Sequence, residues 1–410
     1  YYINDAGEQI KKLVKTVKFH LANIKNNRND ELSIDLYPGI YLLEISKLIA
    51  KKIKTSTNIE LEKIREKSLN LILNDIKKDL EDIRINHKTF ISERKTSSQE
   101  NVDDLKKKLL KKKLAYFGFQ DKPQNVKNEE WVKEEQFLFK SKNFGDDSDR
   151  ALLKPNGELT YFLSDIIYHQ TKINRGFDIL INIWGVDHFG YVKRLKNALK
   201  AINEKKNYDL EIKLTSLVNL LQENKVLKMS KRSGNYVTLR EVVKKVGVDA
   251  LRFMMISRSA EKKIDFDLQL VLLKTKDNPV FYIQYAYARC NSIMRISKGI
   301  FKKNMDFLST NLSTLNLDSE KLLIRYLCNF NNIVLSSAIN YEPHRLANYL
   351  YELAKIFHTY WGLGKQNKQN RIIIEDDQNI SFSRLTLVFS VSLILKKGLK
   401  ILKIDCPESM

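Results

Sequence analysis

The feature that most restricts the fold is a change of pattern within one short stretch. Ile179 to Trp184 is an apolar run, Gly185 stops it, and a helical pattern then runs from Tyr191 to Leu199. Strand, glycine and helix in that order form the βα step of a parallel sheet. A further strand-like run near Leu214 to Leu221 leads into the loop Lys228 to Asn235. Thr238 and Glu241 then make a capping box for a short helix that stops near Gly247, and Asp249 is placed to cap the helix after it. Upstream, Phe137 to Phe139 and Leu159 to Phe162 read as strands joined by a polar turn at Pro155-Asn156-Gly157.

From about Phe281 the strand signals stop. Leu322, Leu323, Tyr326, Leu327, Phe330, Ile333 and Val334 give one amphipathic helix. Leu346, Leu350, Leu353, Phe357 and Tyr360 give another, opened by Pro343 and ended by Gly362, and residues 383–403 give a third. The chain therefore reads as an α/β domain followed by an all-helical bundle. At the front, the polar loop Tyr2 to Gly7 precedes a helical pattern at Ile10, Leu13, Val14, Val17, Leu21 and Ile24. Residues 46–135 are charged and mostly helical in pattern, with breaks at Ser97-Ser98-Gln99 and Asp121-Lys122-Pro123.

Composition narrows the function classes. With 43% hydrophobic residues in 410, a mainly disordered chain is excluded. Cys290, Cys328 and Cys406 lie far apart, which argues against a disulfide framework or zinc knuckle and suits a reducing compartment. The longest apolar run, Leu385 to Leu395, is too short to span a bilayer and reads as a buried helix, so no membrane partner is expected. The formal charge of +22 favours a polyanionic partner. An AT-rich coding bias toward Lys, Asn and Ile would produce the same surplus. The densest basic stretch, Lys106 to Lys113, reads as a solvated helix face.

The loop Lys228-Met229-Ser230-Lys231-Arg232-Ser233-Gly234-Asn235 carries the clearest chemistry. Lys228 and Lys231 are three residues apart, so in a turn both ammonium groups can face one anion. Such a loop suits a triphosphate and the charge that grows as pyrophosphate leaves.

Lys228-Met229-Ser230-Lys231 resembles the signature loop of class I aminoacyl-tRNA synthetases, and its surroundings resemble the arginyl-tRNA synthetases of the bacterial branch. The matching stretches are Tyr2 to Ile10, Phe144 to Arg150, Tyr161 to Ile166, Trp184 to His188 with Gly190 to Arg194, Val248 to Phe253, Asn278 to Ala286, and Pro407 to Met410. They lie in order and cover most of the chain outside about 46–135. The family's second signature, His-x-Gly-His, matches none of His20, His87, His169, His188, His344 or His358. In the family it precedes the segment that here begins the chain, so an amino-terminally truncated member is expected.

The resemblance implies an α/β Rossmann-like class I catalytic core, incomplete at its first strand, followed by an all-α helical-bundle anticodon-binding domain. The expected division is 1–45 as the remainder of the first half of the core, 46–135 as a connective insertion, 136–265 as the second half with the lysine loop, 266–280 as a linker, and 281–410 as the anticodon-binding domain. The implied activity joins arginine to ATP and passes the arginyl group to tRNA(Arg). A non-catalytic tRNA-binding remnant is the alternative. ATP is expected as substrate, with Mg2+ held mainly by phosphates and water rather than by a carboxylate cage. A cytoplasmic monomer is expected.

The resemblance also implies residue roles. Tyr161 and Asp165 would read the guanidinium, since a planar cation is best held by a carboxylate accepting two parallel hydrogen bonds. A helix N-cap before Ile166 is the competing role for Asp165. His188, at the carboxyl edge of the sheet, would contact the amino acid or the adenosine, against a purely structural histidine. Asn4 and Asp5 would border the active site, with helix capping as the competitor for Asp5. Lys228, Met229, Ser230 and Lys231 would hold ATP, with Lys228 and Lys231 acting in catalysis. In the bundle, Tyr282, Tyr285 and Arg289 share one helical face and would contact unstacked anticodon bases, as would Met410, against a plain core stripe.

Overall fold

The computed structural model describes residues 1–33, 35–52, 60–120, 134–203, 207–222, 225–227, 237–275, 277–302, 306–307 and 310–410. These fall into two compact units. One consists of residues 1–78 and 86–215, the other of residues 79–85 and the described residues from 216 onward.

The first unit contains β1 (Tyr2–Ile3), α1 (Glu8–Asn26), α2 (Ile40–Lys52), α3 (Leu61–Asp82), β2 (Ile91–Ser92), α4 (Glu93–Thr96) and α5 (Gln99–Lys111). It continues through β3 (Ala115–Phe119), β4 (Glu135–Phe139), β5 (Arg150–Ala151), α6 (Tyr161–Asn174), β6 (Ile179–Gly185), α7 (Phe189–Ile202) and β7 (Asp209–Thr215). The βα step is present. β6 and β7 pair in parallel from Ile179 opposite Asp209 to Gly185 opposite Thr215, and α7 makes the crossover. β1 and β2 form a short parallel pair, while β3, β4 and β5 form an antiparallel sheet. The main core gathers Leu109, Leu152, Ile166, Leu195 and Leu199, so α5 and β3 share it with α6 and α7. A smaller core joins α1, α2 and α3 through Val17, Leu42, Ile49 and Ile64.

β6 is buried on one face only. Leu180 and Asn182 point inward, while Ile179, Ile181 and Ile183 are 53%, 46% and 71% exposed. The run is apolar on both faces, but within this unit only one is packed.

Leu159 to Phe162 is not a strand. Leu153 and Leu159 make a single antiparallel bridge across a turn at Gly157, whose φ of +79° suits glycine, and helix α6 then begins at Tyr161. Thr160 sets that boundary. Its Oγ1 accepts the Leu163 N–H at 3.4 Å and lies 2.9 Å from the Ala151 carbonyl, to which it can donate. Asp165 therefore sits in the second turn of α6, not at a cap before Ile166. The lysine run at 106–113 is only partly solvated. Lys108 donates to Gln170 at 2.9 Å, and Lys106 lies 5.0 Å from the Phe117 ring centre.

The second unit contains β8 (Val218–Gln222), β9 (Lys225–Val226), α8 (Leu239–Val246), α9 (Val248–Ile256), β10 (Ile264–Asp267), α10 (Pro279–Phe301), α11 (Asp318–Cys328), α12 (Phe330–Ile339), α13 (His344–Gln366) and α14 (Gln378–Ile401). β8 pairs in parallel with β10 and antiparallel with β9. The strand-like run at Leu214 to Leu221 is thus two strands, β7 and β8. The Thr238–Glu241 capping box is formed, and α8 stops at Gly247.

Asp249 does not cap α9 with its side chain. Its carboxylate accepts from Arg84 at 2.7 Å, Gln284 at 2.9 Å and the Asp405 N–H at 3.1 Å. The amphipathic pattern at 322–334 is broken at Asn329 into α11 and α12, and α13 runs past Gly362 to Gln366. The Leu385 to Leu395 run is the buried interior of α14, with Leu385, Val388, Val391 and Leu395 fully enclosed. Beside it lies a buried ion pair, with Arg384 Nε 2.8 Å from Glu320 Oε1.

Candidate active site

Helix α6 presents Asp165 toward a group of polar and aromatic residues in the first unit. Burial pushes the Asp165 carboxyl above the usual carboxylate range. Tyr191, His188 and Lys172 act in the opposite direction, favouring its charged form. The Tyr191 hydroxyl stands beside it, largely buried, and is the neighbour that most favours the charged form. Among the described residues, no Lys, Arg or His forms an ion pair with Asp165. It is a desolvated acid whose nearby cations leave it unpaired.

Other acids share this neighbourhood. The Glu93 carboxyl is raised by burial and then by the negative charges of Asp5 and Asp165. The Tyr2 phenol is raised by burial and by Glu93, Asp165, Tyr168 and Asp5. The rings of Tyr2 and Tyr168 lie 4.5 Å apart, and Trp184 stands 5.8 Å from His188 and 5.7 Å from Tyr191. In a chain of net charge +22, this is an acidic, aromatic-walled patch.

Below it runs a hydrogen-bonded line from α6 to β6. Lys172 Nζ donates to Asn182 Oδ1 at 2.5 Å, Asn182 Nδ2 lies 2.6 Å from His169 Nε2, and His169 Nδ1 lies 2.6 Å from the Asp165 carbonyl oxygen. Burial lowers the His169 pKa to about 4 and the Lys172 pKa to about 8.

Of the residues expected to hold arginine, Asp165 and His188 are brought together, and Asp5 joins them through Glu93 and Tyr2. Asp5 does not cap α1. Its carboxylate accepts from Ser92 Oγ at 2.7 Å and the Arg94 N–H at 3.0 Å, at the start of α4. Tyr161 opens α6 and is 83% exposed, one turn before Asp165. Asn4 is exposed. His188 begins α7 with Nε2 3.6 Å from Asp187 Oδ2. Lys228, Met229, Ser230 and Lys231 lie outside the described residues. Tyr2, Glu93, Tyr168, His169, Lys172, Asn182 and Tyr191 were not singled out from the sequence. His169 follows Asp165 by four residues, a helical spacing hidden while Leu159 to Phe162 read as strand.

In the second unit, Tyr282, Tyr285 and Arg289 do share a face of α10, and α13 completes it. Arg289 donates to His358 Nδ1 at 2.7 Å and to the Tyr285 hydroxyl at 2.9 Å, and lies 3.8 Å from the Trp361 ring centre. His358 Nε2 lies 3.2 Å from the Tyr282 carbonyl oxygen, and burial lowers its pKa to about 4. Tyr285 is 38% exposed and stacks between Phe281 and His358. The face is therefore a half-open aromatic platform with a fixed cation, not a closed core stripe. His358 and Trp361 belong to it and were missed, because on α13 they flank the apolar stripe. Met410 is 55% exposed, and the nearby Glu408 carbonyl accepts from Arg295 on α10 at 3.2 Å.

The parallel βαβ core and the helical bundle are the two parts of a class I aminoacyl-tRNA synthetase, and a family model matches each of them. Residues 164–267 match the family model for class I tRNA synthetases (I, L, M and V), and residues 283–410 match the DALR anticodon binding domain.

The particular family follows from the relatives. An arginine–tRNA ligase of Ehrlichia chaffeensis is 42% identical over 415 residues, covering 100% of this chain and 71% of its own length. One from Wolbachia pipientis of Culex pipiens is 41% identical over 414 residues, with the same coverage. A Campylobacter jejuni crystal structure assigned as an arginyl-tRNA synthetase superposes with a TM-score of 0.83 at 27% identity, over 100% of this chain and 84% of that one. The Thermus thermophilus arginyl-tRNA synthetase shares the fold, with a TM-score of 0.67 at 18% identity over 100% of this chain and 75% of that one. The chain belongs to the arginine–tRNA ligase family.

Proposed function

We propose that the chain activates arginine with ATP and transfers the arginyl group to tRNA(Arg), with Asp165 as the reader of the guanidinium. The observation that carries this is the desolvated, ion-unpaired Asp165 carboxyl among aromatic rings and further acids. A buried acid without a cationic partner gains most from a ligand that brings one, and the fork of a guanidinium gives a carboxylate two parallel hydrogen bonds. The neighbouring acids Asp5 and Glu93 add attraction for a dicationic amino acid. His188 lies near enough to act on the Asp165 charge and so borders the same ligand.

The reaction needs no covalent nucleophile from the protein. The arginine carboxylate attacks the α-phosphate of ATP, and the protein supplies orientation and charge stabilisation. Lys228 and Lys231 are the residues assigned to the phosphates, with Met229 and Ser230 assigned to the same ATP site. Among the described residues no group of three metal-ligating side chains comes together. Mg2+, where present, would take phosphates and water as most of its ligands. Tyr282, Tyr285, Arg289 and Met410 are assigned to the anticodon side, joined by His358 and Trp361. The domain division is read as given above, with a cytoplasmic monomer as the working form.

The test is arginine-dependent exchange of pyrophosphate into ATP with tRNA present. Exchange driven by arginine and abolished by Asp165→Asn is expected. Equal exchange with a neutral amino acid overturns the Asp165 reading. Binding of tRNA without any exchange would leave a tRNA-binding remnant.

A further inference from the structure

We propose that His169 and Asn182 are positioning residues for Asp165, joined in a hydrogen-bond relay that starts at Lys172 and has only one possible direction. This rests on the reading of Asp165 given above and adds the residues that hold it in place.

The direction follows from donor and acceptor chemistry. An ammonium group only donates, so the Asn182 atom 2.5 Å from Lys172 Nζ must be the carbonyl oxygen. The Asn182 amide nitrogen is then turned to His169 Nε2, which must accept and so carries no proton. The remaining ring proton sits on Nδ1 and is donated to the Asp165 carbonyl oxygen at 2.6 Å. The far end imposes the same direction, because a backbone carbonyl only accepts. Both ends agree, and the imidazole is held neutral in one tautomer. Its burial, at 1% exposure, and its lowered pKa support this state.

The relay fastens the second turn of α6 to the inner face of β6. Asn182 is 4% exposed and lies at the middle of β6, two residues before Trp184. Asp165 lies on α6 and His188 follows the end of β6 by three residues, so the relay ties the helix of one to the strand that leads to the other. A shift of about 1 Å at a binding group can cost on the order of a hundredfold in a reaction that depends on alignment. A side chain that only filled space would leave the His169 tautomer unchanged when its polarity was reversed. The relay tolerates no reversal of polarity.

Asn182→Asp tests that distinction, since it keeps the shape and replaces the donor with an acceptor. Lys172→Met is the second variant, since it removes the charge that orients the amide. The probes are L-arginine and its neutral isostere L-citrulline, bound to the full 410-residue chain, together with the 15N resonances of the His169 ring. In the wild type we expect an Nδ1-protonated, neutral ring at pH 7 and a clear preference for arginine. In Asn182→Asp we expect a proton on Nε2 and a preference for arginine reduced about tenfold. In Lys172→Met we expect a smaller reduction. Citrulline binding should change less than arginine binding in both.

An Nε2-protonated or cationic ring in the wild type overturns the relay. So does full arginine preference in both variants while Asp165→Asn abolishes it. Arginine preference that survives Asp165→Asn, or is absent from the wild type, overturns instead the reading of Asp165 on which the relay depends.

Discussion

At the scale of single residues, the energetics turn on a few buried charges. Glu320 is wholly enclosed and is met by Arg384, by the Leu317 N–H at 3.0 Å and by the Tyr360 hydroxyl at 3.3 Å. Arg384 also donates to the carbonyls of Gln369 and Arg371, both at 2.7 Å. Each ion is paired and further hydrogen-bonded, so removing one strands the other in a medium that cannot solvate it. Arg384→Met should cost about 3–5 kcal/mol of stability, measured by urea unfolding. A loss below about 1 kcal/mol would show that the pair is solvated. Asp165 is the opposite case, a half-buried acid with no ion-pair partner among the described residues, which is why it is proposed as a ligand site. Its residue type was legible in the sequence through the Tyr161–Asp165 spacing and the family resemblance. Its partners were not, because hydrogen bonds from Lys172 through Asn182 to His169 depend on how a strand and a helix pack, which no local pattern records.

At the scale of elements, the helices were read more securely than their limits. The α8 cap was visible because Thr238 and Glu241 satisfy each other locally. The break between α11 and α12 at Asn329 was not, since the apolar residues on both sides keep a helical period. α6 was misread because Leu159 to Phe162 carries the aromatic and branched residues of a strand, while the decisive contact runs from Thr160 back to Ala151 and Leu152. Thr160→Ala removes both the cap and that link. It should destabilise the first unit by about 1 kcal/mol and weaken arginine binding in proportion to the fraying of α6, as read by hydrogen exchange.

Acid should act on the same helix. His169 is neutral in the fold, with a pKa of about 4 against an ordinary 6.5. Its contribution is therefore complete above pH 6.5, falls as the unfolded chain alone takes up the proton, and levels off below about pH 4. The loss is on the order of 3 kcal/mol. Unfolding curves across that window should steepen for the wild type and flatten for His169→Gln. Identical curves would contradict the burial of a neutral ring.

At the scale of the whole molecule, two units with separate cores carry two polar surfaces of opposite character, each proposed above as a recognition site. The acidic patch lies in the first unit, and the aromatic–arginine platform lies in the second. The broad division into an α/β part and a helical bundle was legible because strand signals stop near Phe281. The sharing of α5 and β3 with the main core was not, since their charged surfaces mask the few buried residues, such as Leu105, Leu109 and Ala115. The net charge of +22 gives tRNA binding a large electrostatic share. Affinity for tRNA should fall at least roughly tenfold between 50 and 200 mM salt, while affinity for arginine changes less because its proposed reader is half-buried and desolvated. Equal salt dependence for both ligands would place arginine on the exposed surface instead.

The most direct test is the titration of the Asp165 side-chain carboxyl, followed by its 13C resonance with and without arginine. Free Asp165 should titrate above the ordinary carboxylate range, because burial disfavours its charge. Saturating arginine should move that midpoint down, since a guanidinium stabilises the ionised form, and citrulline should leave it in place. A midpoint that arginine does not move would show that Asp165 does not hold the substrate.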